Sequence, residues 1–147
     1  MDDTVKILNG LIEISEDGLK GFQEAADKAA ATELKQLFSE RAGSCSQSVR
    51  ELQTLVTALG GAPESTGSFA AAAHRGWVKI KAAVGDSNLA VLEEVERGED
   101  HARAHYIKAL KASLPPQVRD VIEKQYQGVV ANHDRIRDLR DRYRAAA

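Results

Sequence analysis

Apolar side chains recur every three or four positions through four long segments of the chain, which is the spacing of amphipathic α-helices. The pattern predicts helices over residues 4–30, 33–59, 87–112 and about 116–144. A shorter pattern of the same period predicts an extra helix over residues 68–84, within the connection between the second and third helices. Residues 1–147 are predicted to form a single domain.

Residues that favour caps and turns mark the ends of these helices. Thr32 is predicted as the N-cap of the second helix, and Gly60-Gly61 as its end. Ser113-Leu114-Pro115-Pro116 predicts a tight corner between the third and fourth helices. Two hairpins joined by one long crossover are therefore expected. This arrangement is typical of an all-α, ferritin-like four-helix bundle rather than of an up-down-up-down bundle.

The predicted inner faces of the helices contain polar residues near their middle. Glu99 interrupts the apolar face of the third helix, and a buried carboxylate is costly unless it is paired, hydrogen-bonded, hydrated or protonated. We therefore predict a polar core layer at mid-bundle formed by Glu99, Arg41, Ser48 and Asn132. Further candidates at this level are Ser15, Cys45 and Gln125. The alternative is that Glu99 turns to the bundle surface.

A set of short motifs is spread over residues 4–143. They are Leu8-Asn9-Gly10-Leu11-Ile12-Glu13, Asp17-Gly18, Gly21-Phe22, Glu51-Leu52, His74-Arg75-Gly76-Trp77, Glu96-Arg97-Gly98-Glu99-Asp100, Leu114-Pro115-Pro116 and His133-Asp134-Arg135-Ile136. With these motifs the chain resembles an uncharacterised family of bacterial four-helix-bundle proteins in the ferritin-like superfamily, a domain of unknown function. The resemblance implies the fold and no particular reaction.

Ferritin-like di-metal sites take a glutamate from each of two helices and a Glu-x-x-His pair from each of the other two. No histidine of this chain has a glutamate three positions before it; the four pairs are Ala71/His74, Gly98/His101, Ala102/His105 and Val130/His133. Near mid-bundle only Glu99 is predicted to point inward, with Glu96 at the margin. We expect no metal or other cofactor. The alternative is iron or manganese at an incomplete site built on Glu99 and Glu96.

Three other features allow both a functional and a structural interpretation, and the structural one is favoured for each. His101 and His105 are spaced to share a metal ion, but a metal site would need further ligands. The favoured interpretation is that they belong to a solvated face or a subunit contact. Trp77 could dock a partner, or it could pack the crossover helix onto the bundle. Cys45 could be a redox sensor, or a small buried side chain.

The end of the fourth helix is rich in charge. Residues 133–144 contain five arginines and three aspartates. Same-face ion pairs are predicted within the helix: Asp134 with Arg137, Asp138 with Arg142, and Asp141 with Arg144. This pattern indicates a solvated helix end.

Charge and composition limit the partners and the compartment. The net charge is −2, from 20 Lys+Arg and 22 Asp+Glu, which argues against nucleic-acid binding. One cysteine cannot form an internal disulfide. The first residues lack a signal-peptide pattern, and no apolar run reaches the roughly 18 residues of a membrane span. We expect a bacterial cytoplasmic protein that binds neither nucleic acid nor membrane.

These features favour a non-catalytic binding or structural protein, able to form a homodimer through a long helix face. Nothing in the sequence indicates a phosphate-binding loop or a nucleophile with its base. One alternative is a metal-binding protein or oxidoreductase of the di-metal class with an incomplete site. Another is a carrier of a small ligand that uses the mid-bundle polar layer.

Overall fold

The computed structural model describes residues 2–63 and 87–146, which form four α-helices. They are α1 (Asp2–Lys28), α2 (Thr32–Ala58), α3 (Ser87–Leu110) and α4 (Pro116–Ala146). α1 packs against α2 and α3, and α3 packs against α4, whereas α2 and α4 touch only slightly. The predicted all-α four-helix bundle is confirmed. The predicted helix over residues 68–84, with Trp77, lies outside the described residues.

The connection between the two hairpins joins opposite ends of the bundle. α2 ends beside the start of α1, where the Asn9 side chain donates a 3.1 Å hydrogen bond to the Ala62 carbonyl. α3 starts at the other end, where the side-chain oxygen of Asn88 accepts hydrogen bonds from the amides of Ala30 and Ala31. The last described residue before the crossover and the first after it therefore lie at opposite ends of the bundle, separated by roughly the 40 Å length of a 27-residue helix.

The core consists of two apolar clusters stacked along the bundle. The first cluster lies toward the α1–α2 loop and includes Phe22, Ala25, Leu34, Phe38, Leu92 and Ile136. The second cluster lies toward the α3–α4 corner and includes Leu8, Ile12, Leu52, Val56, Tyr106 and Ile122. Between them is a level without apolar core residues, which includes residues 15–18 of α1 and 96–101 of α3.

The buried face of α1 is wider than the stripe that helical spacing predicts, which consists of Leu8, Leu11, Ile12, Ser15, Leu19, Phe22, Ala26 and Ala29. Ile14 is 5% exposed and Ala25 is fully buried, although neither belongs to the predicted stripe. α1 packs against two helices, so residues on two adjoining stripes are covered.

The predicted N-cap of α2 is wrong by one residue. Ala31 occupies the N-cap position with an extended backbone and no side-chain capping bond, and Thr32 is the first helical residue. Asn88 instead accepts the amides of Ala30 at 2.8 Å and Ala31 at 3.0 Å. A side-chain acceptor from α3 therefore satisfies the backbone amides of this loop. Local sequence does not reveal this contact.

The end of α2 is a glycine-dependent turn, as predicted. Gly60 has a φ of 80°, in the left-handed region that glycine adopts without steric cost. The Gly60 amide bonds to the Thr57 carbonyl at 3.0 Å, and the Gly61 amide to the Val56 carbonyl at 3.0 Å, which is the Schellman pattern. A Cβ on Gly61 would lie 2.8 Å from a methyl group of Val5.

α3 ends at Leu110, two residues before the predicted boundary. The Arg119 guanidinium, from the first turns of α4, donates to the Leu110 carbonyl at 2.9 Å and to the Ala112 carbonyl at 2.7 Å. These bonds satisfy carbonyls that a helix end leaves without partners, so the α3–α4 corner closes early.

The last two arginines of α4 form ion pairs with other helices rather than within α4. The predicted pair of Asp134 and Arg137 forms, at 3.5 Å. The pairs predicted for the last two arginines are wrong, because Arg142 contacts Glu33 of α2 at 2.9 Å and Arg144 contacts an acid of α3. Long arginine side chains reach the neighbouring helices here. No described helix has the length and apolarity needed to cross a membrane.

Candidate functional site

A cavity of about 570 Å³ opens at mid-bundle, at the level between the two apolar clusters. Small-molecule sites in proteins typically measure about 300–1,000 Å³. All four helices contribute to its wall, which is mainly apolar. Small residues leave the space open: Gly18, Gly21, Gly98, Ala102 and Gly128 all line it.

Glu99 is the acidic group that α3 buries at this level. The side chain lines the cavity and is 7% exposed, and its Oε2 has no hydrogen-bond partner among the residues described. Burial raises the pKa of this carboxyl group. The Asn132 amide and the positive charge of Arg41 act in the opposite direction, although neither group makes a hydrogen bond of normal geometry with it.

Arg41 faces the same cavity from α2 and is half-buried. Its Nε is buried without a hydrogen-bond partner in the described part of the chain. The guanidinium carbon lies 6.0 Å from the ring centroid of Phe22, a cation–π contact. Arg41 and Glu99 are therefore close enough to influence each other electrostatically, but they do not form an ion pair.

A hydrogen-bonded chain of side chains forms another part of the wall. Tyr106 donates to the Gln125 side-chain oxygen at 2.8 Å, and the Ser15 hydroxyl lies 3.4 Å from the Tyr106 oxygen. The Gln125 amide donates to Glu51 at 2.9 Å and to the Ser48 carbonyl at 3.4 Å. Burial raises the pKa of Tyr106, so its hydroxyl stays protonated. This chain connects all four helices.

The residues of the predicted polar layer lie at one level, with different roles. Glu99, Arg41 and Ser48 line the cavity. Asn132 is 5% exposed and lies beside Glu99, and its Nδ2 has no hydrogen-bond partner within residues 2–63 and 87–146. Glu96, the second candidate metal ligand, instead forms an ion pair with Arg140 of α4.

Sequence reasoning missed two components of the site. The helical spacing of α3 predicts Tyr106 as one residue of its inner apolar stripe, although the Tyr106 hydroxyl is at the centre of the hydrogen-bonded chain. Gln125, a polar residue on the mainly apolar inner face of α4, is the sequence signal that could have identified the partner of Tyr106. The helical spacing of α1 predicts that Asp17 projects away from the apolar stripe, yet Asp17 is half-buried in the cavity wall, because α1 also packs against α3.

Cys45 also lines the cavity, which accounts for its partial exposure. Burial raises the pKa of the thiol to about 12, and the nearby Arg41 lowers it less than burial raises it. A thiol with such a pKa is almost wholly protonated at neutral pH, so it is a poor nucleophile and a poor metal ligand.

The histidines of α3 and α4 do not converge on the cavity centre. The rings of His101 and His105 lie edge to face with centroids 4.6 Å apart, and only His101 reaches the cavity wall. Burial lowers the pKa of His105. His133 contacts Asp100 at 2.5 Å, in an α3–α4 contact.

The donor set of the cavity does not fit a di-iron or di-manganese centre. Such a centre requires several carboxylates and two histidines that point to one place. In the described residues no group of three or more His, Cys, Asp or Glu side chains could hold a metal ion. Of the cavity carboxylates, Glu51 already accepts a bond from Gln125, and Glu94 forms an ion pair with Arg97.

A family model described as "Domain of unknown function (DUF2383)" matches residues 3–112, about three quarters of the chain. The chain belongs to the DUF2383 family. This agrees with the resemblance to an uncharacterised family. No functionally curated protein matches the chain in sequence.

This DUF2383 chain is similar in structure to a two-domain protein from Anabaena variabilis, whose crystal structure contains DJ-1/ThiJ/PfpI-like and ferritin-like domains. The TM-score is 0.79 and the sequence identity 15%. The match covers 99% of the DUF2383 chain and 38% of the two-domain protein. The predicted ferritin-like fold is therefore confirmed, and at this identity the likeness is one of fold alone.

Proposed function

We propose that this protein is a non-catalytic binding protein that holds a small organic molecule in its mid-bundle cavity, in the bacterial cytoplasm. The observation that carries the proposal is the cavity itself: about 570 Å³, mainly apolar, with Glu99 and Arg41 in its wall. A buried polar atom without a partner is costly, and a ligand that satisfies such atoms recovers this cost.

The groups around the cavity suit binding better than catalysis. Burial holds Cys45 and Tyr106 in their protonated forms, so neither is a ready nucleophile or base at neutral pH. The Tyr106 hydroxyl is also committed to Gln125. These side chains therefore form and stabilise the cavity wall.

The binding function can be tested with a library of small fragments and ligand-observed NMR. Gly128 lines the cavity and a Cβ there would meet no atom within 4 Å, so Gly128→Leu places a side chain at the cavity wall. Gly43 is exposed on α2, outside the cavity wall, and equally open. Gly43→Leu is therefore a matched control.

Fragments should bind the wild type and Gly43→Leu with similar affinity. Their affinity for Gly128→Leu should be at least about tenfold lower. The proposal is wrong if no fragment distinguishes the two variants.

We further propose that the protein has no resident metal, a proposal supported by the poor fit of its donor set. Elemental analysis of protein purified without chelators should give the same iron and manganese content for the wild type and Glu99→Gln. Stoichiometric metal that Glu99→Gln removes would instead support the alternative of an incomplete metal site.

The proposal includes no nucleic-acid or membrane partner, consistent with the net charge of −2.

We also propose that the protein forms a homodimer through a long helix face. Light scattering during size-exclusion chromatography should give twice the 15.9 kDa mass of the chain. A mass of 15.9 kDa across the micromolar range would rule this dimer out.

A further inference from the structure

We propose that the cavity binds a small aminocarboxylate, with the carboxylate of the ligand on Arg41 and its ammonium group on Glu99. The inference rests on the binding function proposed above and specifies the chemical class of the ligand. It starts from two opposite charges that face one cavity from different helices without touching.

Arg41 provides the anion-binding half of the site. Arginine is the residue best suited to carboxylates, because its planar fork of donors matches their two oxygens. In the described structure the Nε of Arg41 is buried without a hydrogen-bond partner, and the guanidinium carbon lies 6.0 Å from the centroid of the Phe22 ring. A cation–π contact uses no N–H donor, so the contact with Phe22 does not commit the donors of the guanidinium.

Glu99 provides the cation-binding half. The side chain is more than nine-tenths buried, lines the cavity, and has a carboxylate oxygen without a partner in the described ranges. An ammonium group supplies three donors and a compensating charge. The positive charge of Arg41 acts on Glu99 only from a distance, so it leaves this oxygen unsatisfied.

The apolar part of the cavity wall favours a ligand with a carbon skeleton over water alone. Phe22, Val95, Ala102 and Val129 line the cavity with apolar surface. A ligand with charged ends and an apolar body would satisfy both charges and bury carbon against these side chains. A simple anion on Arg41 would leave Glu99 without a partner, and a simple amine on Glu99 would do the same to Arg41.

Isothermal titration calorimetry with matched compounds tests this assignment on the full chain. The aminocarboxylate probes are 4-aminobutanoate and 6-aminohexanoate, which carry their two charges at opposite ends of the carbon chain. Each is compared with the acid that lacks its amine and with the amine that lacks its carboxylate, for example hexanoate and hexylamine. At least one aminocarboxylate should bind about tenfold or more tightly than both of its counterparts, as expected for a charged hydrogen bond.

Charge-removing variants then locate the two ends of the ligand. Glu99→Gln should reduce aminocarboxylate affinity to that of the amine-free acid, and Arg41→Gln should reduce it to that of the carboxylate-free amine. Glu93→Gln on α3 and Arg50→Gln on α2 are matched controls, because both residues are exposed and lie outside the cavity wall. These controls should bind like the wild type.

The outcomes separate this inference from the proposed function. If amine-free acids bind as tightly as aminocarboxylates, or if Glu99→Gln binds them unchanged, the ligand class is wrong. The same holds if no aminocarboxylate binds the wild type, whose folding is not in question. In each case the fragment comparison of Gly128→Leu with Gly43→Leu still decides independently whether the cavity binds small molecules.

Discussion

Tyr106 of α3 donates a 2.8 Å hydrogen bond to the side-chain oxygen of Gln125 of α4. The amide end of Gln125 continues the contact to Glu51 of α2, and the Ser15 hydroxyl of α1 lies 3.4 Å from the Tyr106 oxygen. One phenol therefore holds together side chains of all four helices at the edge of the cavity.

Removing this hydroxyl should destabilise the protein. Tyr106→Phe keeps the ring but leaves the Gln125 oxygen without its donor, and we expect a loss of about 1–2 kcal/mol in the free energy of unfolding, measured with urea. Tyr126→Phe is the control, since Tyr126 is half-buried beside the second cluster; its loss should stay below about 0.5 kcal/mol. Equal effects at the two tyrosines would contradict the role given to the network.

The raised pKa of Glu99 predicts a specific dependence of stability on pH. The folded protein holds the Glu99 proton more tightly than the unfolded chain, whose carboxyl keeps its ordinary pKa of 4.5. Stability is therefore lost as the pH rises from this value toward the folded-state pKa. Glu99→Gln, which carries no ionisable group, should become more stable relative to the wild type between pH 5 and pH 8.

Urea unfolding at several pH values measures the difference. Glu93→Gln removes an exposed acid from the same helix and should not show the trend. A difference between the wild type and Glu99→Gln that is constant over this range, or that shrinks as the pH rises, would contradict the prediction.

Cys45 should react slowly with thiol reagents. With its pKa raised to about 12, the thiolate is scarce, and we expect modification at pH 8 to be at least about a hundredfold slower in the native protein than in guanidinium. Ser39→Cys combined with Cys45→Ser is the control, because Ser39 is exposed on α2. Native labelling of Cys45 as fast as that of this control would favour the redox-sensor interpretation.

Alanine substitutions of the two glycines at the end of α2 should lower the free energy of unfolding, whereas the substitution of a glycine inside the helix should raise it. Gly60→Ala forces a Cβ into a left-handed conformation, at a cost of about 1–2 kcal/mol in unfolding free energy. Gly61→Ala should also destabilise, because its Cβ meets Val5, and Val5→Ala in the same chain should recover part of the loss. Gly43→Ala, with open space around it, should stabilise by up to about 1 kcal/mol in urea unfolding.

The fold was predictable because its determinants are local or periodic. Apolar spacing predicted the four helices, and Gly60-Gly61 marked a helix end that depends on backbone conformation alone. The errors at Thr32 and at the end of α3 have a common cause. Both ends are completed by distant side chains, Asn88 and Arg119, which no local pattern reveals.

The site was predictable only in part. A carboxylate on an apolar face identified Glu99, because period and polarity together place it inward. The cavity itself was not predictable, since it depends on how far apart the helices lie at the level that small residues such as Gly98 and Gly128 line. The contacts of Glu96 and Tyr106 are with side chains of α4, a neighbouring helix, so they could not be predicted from the local sequence of α3.

The contact of Asn88 with the amides of Ala30 and Ala31 has a consequence for folding. It joins positions up to 58 residues apart, so the loop of the first hairpin has no acceptor for these amides until α3 has docked. α1 and α2 could collapse early, but their loop would remain frayed and the hairpin incomplete. The two hairpins are thereby coupled into a single cooperative unit, which should unfold in one transition.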